Sequence, residues 1–79
     1  MNFLFHTIIL FDDIRVYYNI YKDNEIYFAE VLGNPNNVIT ATNFTLQCKK
    51  ERWNCSIGLS ENQIQALIQL ILQCPKSQT

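Results

Sequence analysis

Two cysteines enclose the densest run of charge in this chain: Cys48-Lys49-Lys50-Glu51-Arg52-Trp53-Asn54-Cys55. Residues of these types could do three kinds of chemistry. The thiols could ligate a metal, but a closed zinc site needs four ligands. The only soft donors are Cys48, Cys55, Cys74 and His6. Structural zinc pairs sit closer together than this spacing, about two to four residues apart, so no metal site is expected. The thiols could instead form a disulfide. If residues 49–52 form a hairpin loop, Cys48 faces Trp53 and Leu46 faces Cys55. The two cysteines are then diagonal neighbours, about 7 Å apart at Cα and at the far limit for a bridge. That pairing is left open. Third, Lys49, Lys50 and Arg52 are half of the six basic residues and adjoin the only tryptophan. Basic groups beside stacking rings hold single-stranded nucleic acid, which makes these three the candidate contacts. Glu51 dilutes the patch, and charge at a hairpin tip is also the ordinary solvated state. The same register puts Phe44, Leu46, Cys48, Trp53, Cys55 and Ile57 on one face and Thr45, Gln47, Asn54 and Ser56 on the other, so the leading expectation is a half-buried hairpin in which the cysteines are small core residues.

Other reactive groups do not converge. The chain has two glycines and no Gly-rich phosphate loop or HExxH pattern. His6, the one imidazole, lies within an apolar run, where a packed histidine is expected before a general base. Asp12 and Asp13 adjoin in a turn, and sequence neighbours rarely converge on one substrate atom. A non-enzymatic protein without cofactor or metal is the expectation.

Bulk composition narrows the class further. Seventy-nine residues make one small domain, with 48% hydrophobic and 16% charged residues and a formal net charge of −1. That charge argues against a strong grip on nucleic acid or an anionic membrane. A weakly charged surface also lets copies of the chain approach one another. The first eleven residues are largely apolar, but too few to span a bilayer and without a basic n-region or a cleavage site. They read as a strand. Three cysteines are an odd count for a disulfide scaffold, so a reducing, cytoplasmic setting is expected. Two sequons, at Asn43 and Asn54, carry little weight in an Asn-rich chain.

The elements that must position these groups are marked by period and punctuation. Residues 3–11 are β-rich and almost continuously apolar, as in a strand covered on both faces. Here Phe3, Phe5, Ile9 and Phe11 share one side, and Leu4, Ile8 and Leu10 the other. Residues 14–21 alternate with period two, and residues 26–32 return after a turn at Lys22-Asp23-Asn24-Glu25. Gly33-Asn34-Pro35-Asn36-Asn37 is a loop. Residues 38–48 read as a strand with a bend near 41–43, and residues 53–57 close the sheet. Ser60 and Gln63 fit a capping box, with Leu59 and Ile64 as its staple. Behind it, Ile64, Leu67, Ile68, Ile71 and Leu72 make one apolar helical stripe over 61–73. Pro75 ends it. The fold class is α+β: an antiparallel β-meander of four to five strands with one C-terminal helix packed on one face.

One helix covers one face. Pairing Tyr21 with Ile26 places Ile14, Val16, Tyr18, Ile20, Tyr27, Ala29 and Val31 together as a core. Tyr17, Tyr21, Ile26, Phe28 and Leu32 then lie on the opposite side, with Arg15, Asn19 and Glu30 among them. Patches of this kind mark protein interfaces. The outer helical stripe of Gln65, Gln69 and Gln73 is polar but uncharged, which also suits contact. The expected function is a small binding module that forms a homodimer and meets an unknown protein in a regulatory or adaptor role. The competing outcome is a monomer whose loop or curled sheet hides the second face.

An alternative comes from a different class. Strands followed by Ile57-Gly58-Leu59-Ser60-Glu61-Asn62-Gln63, then a helix with Leu67 and Ile71, resemble the transcriptional-coactivator family that binds single-stranded DNA as a dimer. The likeness covers about the last twenty residues and the element order. It implies single-strand binding, with Arg15, Lys22, Lys49, Lys50 and Arg52 as the whole candidate set for a basic groove. No site residue follows from the resemblance itself.

Overall fold

The computed structural model describes residues 1–34 and 41–74. Five strands form one antiparallel sheet in chain order: β1 (Asn2–Phe11), β2 (Ile14–Asp23), β3 (Ile26–Gly33), β4 (Phe44–Lys49) and β5 (Arg52–Cys55). A single helix, α1 (Glu61–Gln73), follows. The fold is the α+β meander that the period-two runs and the capped stripe require.

Three turns are tight. Phe11 pairs with Ile14 across Asp12-Asp13, Asp23 with Ile26 across Asn24-Glu25, and Lys49 with Arg52 across Lys50-Glu51. Two-residue hairpins need left-handed backbone. Asp12, Asp13, Asn24, Lys50 and Glu51 supply it, with φ between 53° and 70°. The β2–β3 register differs from expectation: Tyr21 faces Phe28, not Ile26. The slip is two residues, and side chains alternate with period two, so every residue keeps its face. The β4–β5 register has Cys48 opposite Trp53 and Leu46 opposite Cys55, as read from the sequence.

Further boundaries differ. Of the strand expected over 38–48, residues 38–40 lie outside the described residues, and 41–43 are not strand. That segment is held by side chains instead: Tyr18 Oη donates to Thr42 O at 3.1 Å, and Val31 N donates to Asn43 Oδ1 at 2.8 Å. β5 stops at Cys55 because Ser56 leaves the ladder with a mixed pair: its N donates to Thr45 O, and its Oγ accepts from Thr45 N. In β1 the register shifts between Phe3 and Phe5, so Leu4 is an extra residue. This bulge overturns the expected grouping. Leu4 and Phe5 both pack on the core, while Phe3 pairs with Tyr21 and is half-exposed.

The core lies between the inner sheet face and α1. Val16, Tyr18 and Ile20 of β2 are almost fully buried, with Ile9, Ala29, Phe44 and Leu46 beside them. Leu67, Ile68 and Ile71 are the buried helical residues. Each such side chain contributes about 1.5–3 kcal/mol relative to exposure. The void beneath Leu67 and Ile71, lined also by Ile20, Ala29, Phe44 and Leu46, is about 10 Å³, room for at most one water. Leu72 was expected on the buried stripe but is exposed, as Leu70 is in part. Leu72 sits one position past Ile71, about 100° round the helix, and so turns off the sheet.

The helix start is fully capped. Ser60 Oγ accepts from Gln63 N at 3.1 Å, and Ser60 N donates to Gln63 Oε1 at 2.7 Å. The other end of the same amide, Gln63 Nε2, donates to Leu10 O and ties α1 to β1. Cys74 has extended angles, as a residue before proline does.

Candidate functional site: the outer face of the sheet

The strands turn alternate side chains away from α1, the odd-numbered ones in β2 and the even-numbered ones in β3. From β2 and β3 the register brings Tyr17, Tyr21, Ile26 and Phe28 to this face, with Leu32 at a second register irregularity beside Gly33. Gly33 has φ 143°, a conformation that side-chain-bearing residues rarely adopt. Tyr17, Ile26 and Leu32 are exposed, while Tyr21 and Phe28 are half-buried by their neighbours. β1 extends the face with Phe3, Ile8 and Leu10, each about half-exposed, and with His6. The sequence marks both sides of β1 as needing cover. Ile8 and Leu10 could have been added from the alternation alone. Phe3 could not, because only the bulge brings it here.

Rings organise the centre. Phe3 meets Tyr21 edge-on at 5.7 Å between centroids, Tyr21 meets Phe28 at 6.5 Å, and His6 stands 5.1 Å from Phe3. Contacts of this geometry add about 0.5–1.5 kcal/mol beyond burial. Tyr21 Oη donates to Glu30 Oε1 at 2.9 Å. That bond to the carboxylate holds the Tyr21 phenol above its ordinary value, with desolvation adding to it. Asn19, between these groups, has its Oδ1 buried without a partner. Beside it a hollow of about 460 Å³ is lined by His6, Ile8, Tyr17 and Leu32. The surface is thus apolar and ringed, with a few polar atoms set into it.

The bracketed turn is divided between the two faces. Cys48, Trp53 and Cys55 point inward: Trp53 meets the Tyr27 ring at 5.9 Å with the planes tilted by 38°, and Trp53 and Cys55 pack on the core. The hairpin register read from the sequence already parts Trp53 from the basic residues, and the structure agrees: alternation sends Trp53 to the face opposite Arg52, which removes it from the candidate nucleic-acid contact. Cys48, Cys55 and Cys74 are free thiols. Lys49 and Arg52 pair on the outer face, and Lys50 occupies the turn. Among the other basic residues, Lys22 lies over the Tyr27 ring at 5.6 Å, a cation–π contact on the inner side. Arg15 is on the outer face opposite Leu10, at the far end from Lys49. Among the described residues no cluster of three metal-ligating side chains forms, and no helix is long and apolar enough to cross a membrane.

Comparison with known proteins assigns nothing to this arrangement: no family, no curated protein and no solved structure matches the chain.

Proposed function

We propose that this chain is a small non-enzymatic binding module that self-associates and uses its outer sheet face to meet a protein partner in a regulatory or adaptor role. One observation carries the reading. The sheet has two apolar faces, and the only helix among the described residues covers one. Phe3, Ile8, Leu10, Tyr17, Ile26 and Leu32 remain exposed on the other. Contiguous apolar surface of this sort is a contact surface in soluble proteins, and aromatic residues are enriched at such contacts.

Single-stranded nucleic acid is the second reading. Lys49 and Arg52 share a face with the Tyr21–Phe28 ring pair, as backbone-tracking cations and stacking platforms do. Against it stand Glu30 at the centre of the face and the inward Trp53. Salt separates the two. Protein association is expected to persist from low to high salt. Phosphate binding would show single-strand affinity that falls steeply with salt and is abolished by K49E, K50E and R52E together. Titration of the chain with a fluorescent oligothymidylate at two salt concentrations is the test. No salt-dependent binding is expected, and tight binding lost in that triple variant would replace the protein-interface reading.

A further inference from the structure

The two edges of the sheet are unlike. β5 has four residues, and the turn leading into it carries Lys49, Lys50, Glu51 and Arg52. Short length and charge are the usual protections against unwanted pairing. β1 has ten residues, NFLFHTIILF, without a Lys, Arg, Asp, Glu or Pro. It has neither of those protections.

Which backbone groups lie open follows from the hairpin. Phe11 and Ile14 flank a two-residue turn and so exchange both ladder bonds. Alternation then directs the amides of Ile9, Thr7 and Phe5 toward β2, and those of Leu10, Ile8 and His6 outward. The Gln63 bond agrees, because a side chain outside the sheet reaches Leu10 O. Gln63 thereby covers the edge at Leu10, and the bulge bends it at Leu4. The straight stretch between them, with no strand beside it among the described residues, is residues 5–9, and its midpoint is Thr7.

We infer that a second copy of this chain pairs with this edge, β1 antiparallel to β1, with Thr7 opposite its twin across a twofold axis and His6 bonded to the twin's Ile8. The inference rests on the self-association proposed above and says where it takes place. An antiparallel pair about an axis through Thr7 is self-complementary, as a closed twofold contact must be. No like charges meet across it. Thr–Thr pairs are favourable cross-strand neighbours. The twin's strand lies along a groove of about 850 Å³ between β1 and residues 62–70 of α1, with Ile8, Leu59, Ala66 and Leu70 in its lining. A stable contact needs about 800 Å² from each partner, roughly a seventh of the 5589 Å² surface. The strand edge alone does not supply this. Ala66 and Leu70 on α1 and half-exposed Ile8 add to it. The axis stands across the sheet, so both outer faces end up on the same side of a ten-stranded sheet. A protein partner would then meet two patches joined at His6 and Ile8.

The test is Ile8→Pro. Its amide faces outward, so proline removes a bond only from the pair with the second copy; proline is tolerated in edge strands in that orientation. Sedimentation equilibrium is expected to give a dimer for the unmodified chain and a monomer for Ile8→Pro, with the far-ultraviolet circular dichroism of the two alike. A dimer that survives Ile8→Pro overturns the edge pairing while leaving self-association intact. An unmodified chain that stays monomeric at millimolar concentration overturns both. Should proline unfold the chain, Thr7→Cys with Cys48, Cys55 and Cys74 changed to Ser answers instead. Mild oxidation is expected to link two copies through Cys at position 7. A dimeric but unlinked variant overturns the register and the edge with it. Phe28→Asp, two strands away, is expected to leave the dimer whole, and its dissociation would move the contact to the sheet face.

Discussion

Tyr18 is the residue on which both layers converge. Its ring is buried, meets Phe44 edge-on at 5.2 Å, and its hydroxyl anchors the chain at Thr42 O. Burial pushes its phenol above 10.0, and Cys55 adds to the rise. A group with a raised folded-state pKa contributes stability that is intact below its unfolded value and lost as pH climbs through the folded one. The protein is therefore expected to lose stability above about pH 10. Tyr18→Phe is expected to cost about 1 kcal/mol at neutral pH through the lost hydrogen bond, and to flatten that alkaline decline. Urea unfolding at several pH values measures both. A decline equally steep in Tyr18→Phe would place the ionising group elsewhere.

At the scale of elements, the helix and the hairpins are governed by local chemistry. Ser60→Ala removes the capping box and is expected to cost about 1 kcal/mol, a fall of about 4–8 °C in Tm for a domain of this size. Glu51 is held at φ 65°. Glu51→Gly is expected to raise stability by up to about 1 kcal/mol, since left-handed backbone penalises a Cβ. Thermal unfolding reads each change. These same local signals explain what was legible in advance. Ser60, Gln63 and the Leu67–Ile71 spacing mark the helix because capping and periodicity act within a few residues. The faces of β2 and β3 survived a two-residue error in register because alternation forgives even slips. The bulge at Leu4 was not legible: nothing in Phe3-Leu4-Phe5 announces it, and it arises because both Leu4 and Phe5 find room in the core. The segment 41–43 reads as strand with a bend because Thr and Ala suit a strand, while the hydrogen bonds that hold it out of the ladder come from Tyr18 and Val31, distant in sequence. The site divides in the same way. Tyr17, Tyr21, Ile26 and Phe28 reach the outer face by alternation alone, whereas Phe3 joins them through a tertiary irregularity.

For the whole molecule, the governing fact is a mismatch between sheet and helix. Thirteen helical residues cover one side of a five-stranded sheet, and the other side keeps its rings and aliphatic groups in solvent. That side is left for a protein partner, while the proposed self-association runs along the β1 edge, which carries no Lys, Arg, Asp or Glu and so needs no charge. Sedimentation equilibrium of the intact chain, from micromolar to millimolar concentration and at low and high salt, tests this most directly. The expected result is a mass of twice the 9.3 kDa chain, reached with rising concentration and unchanged by salt. A mass of one chain throughout, or a dimer that salt dissolves, would contradict it.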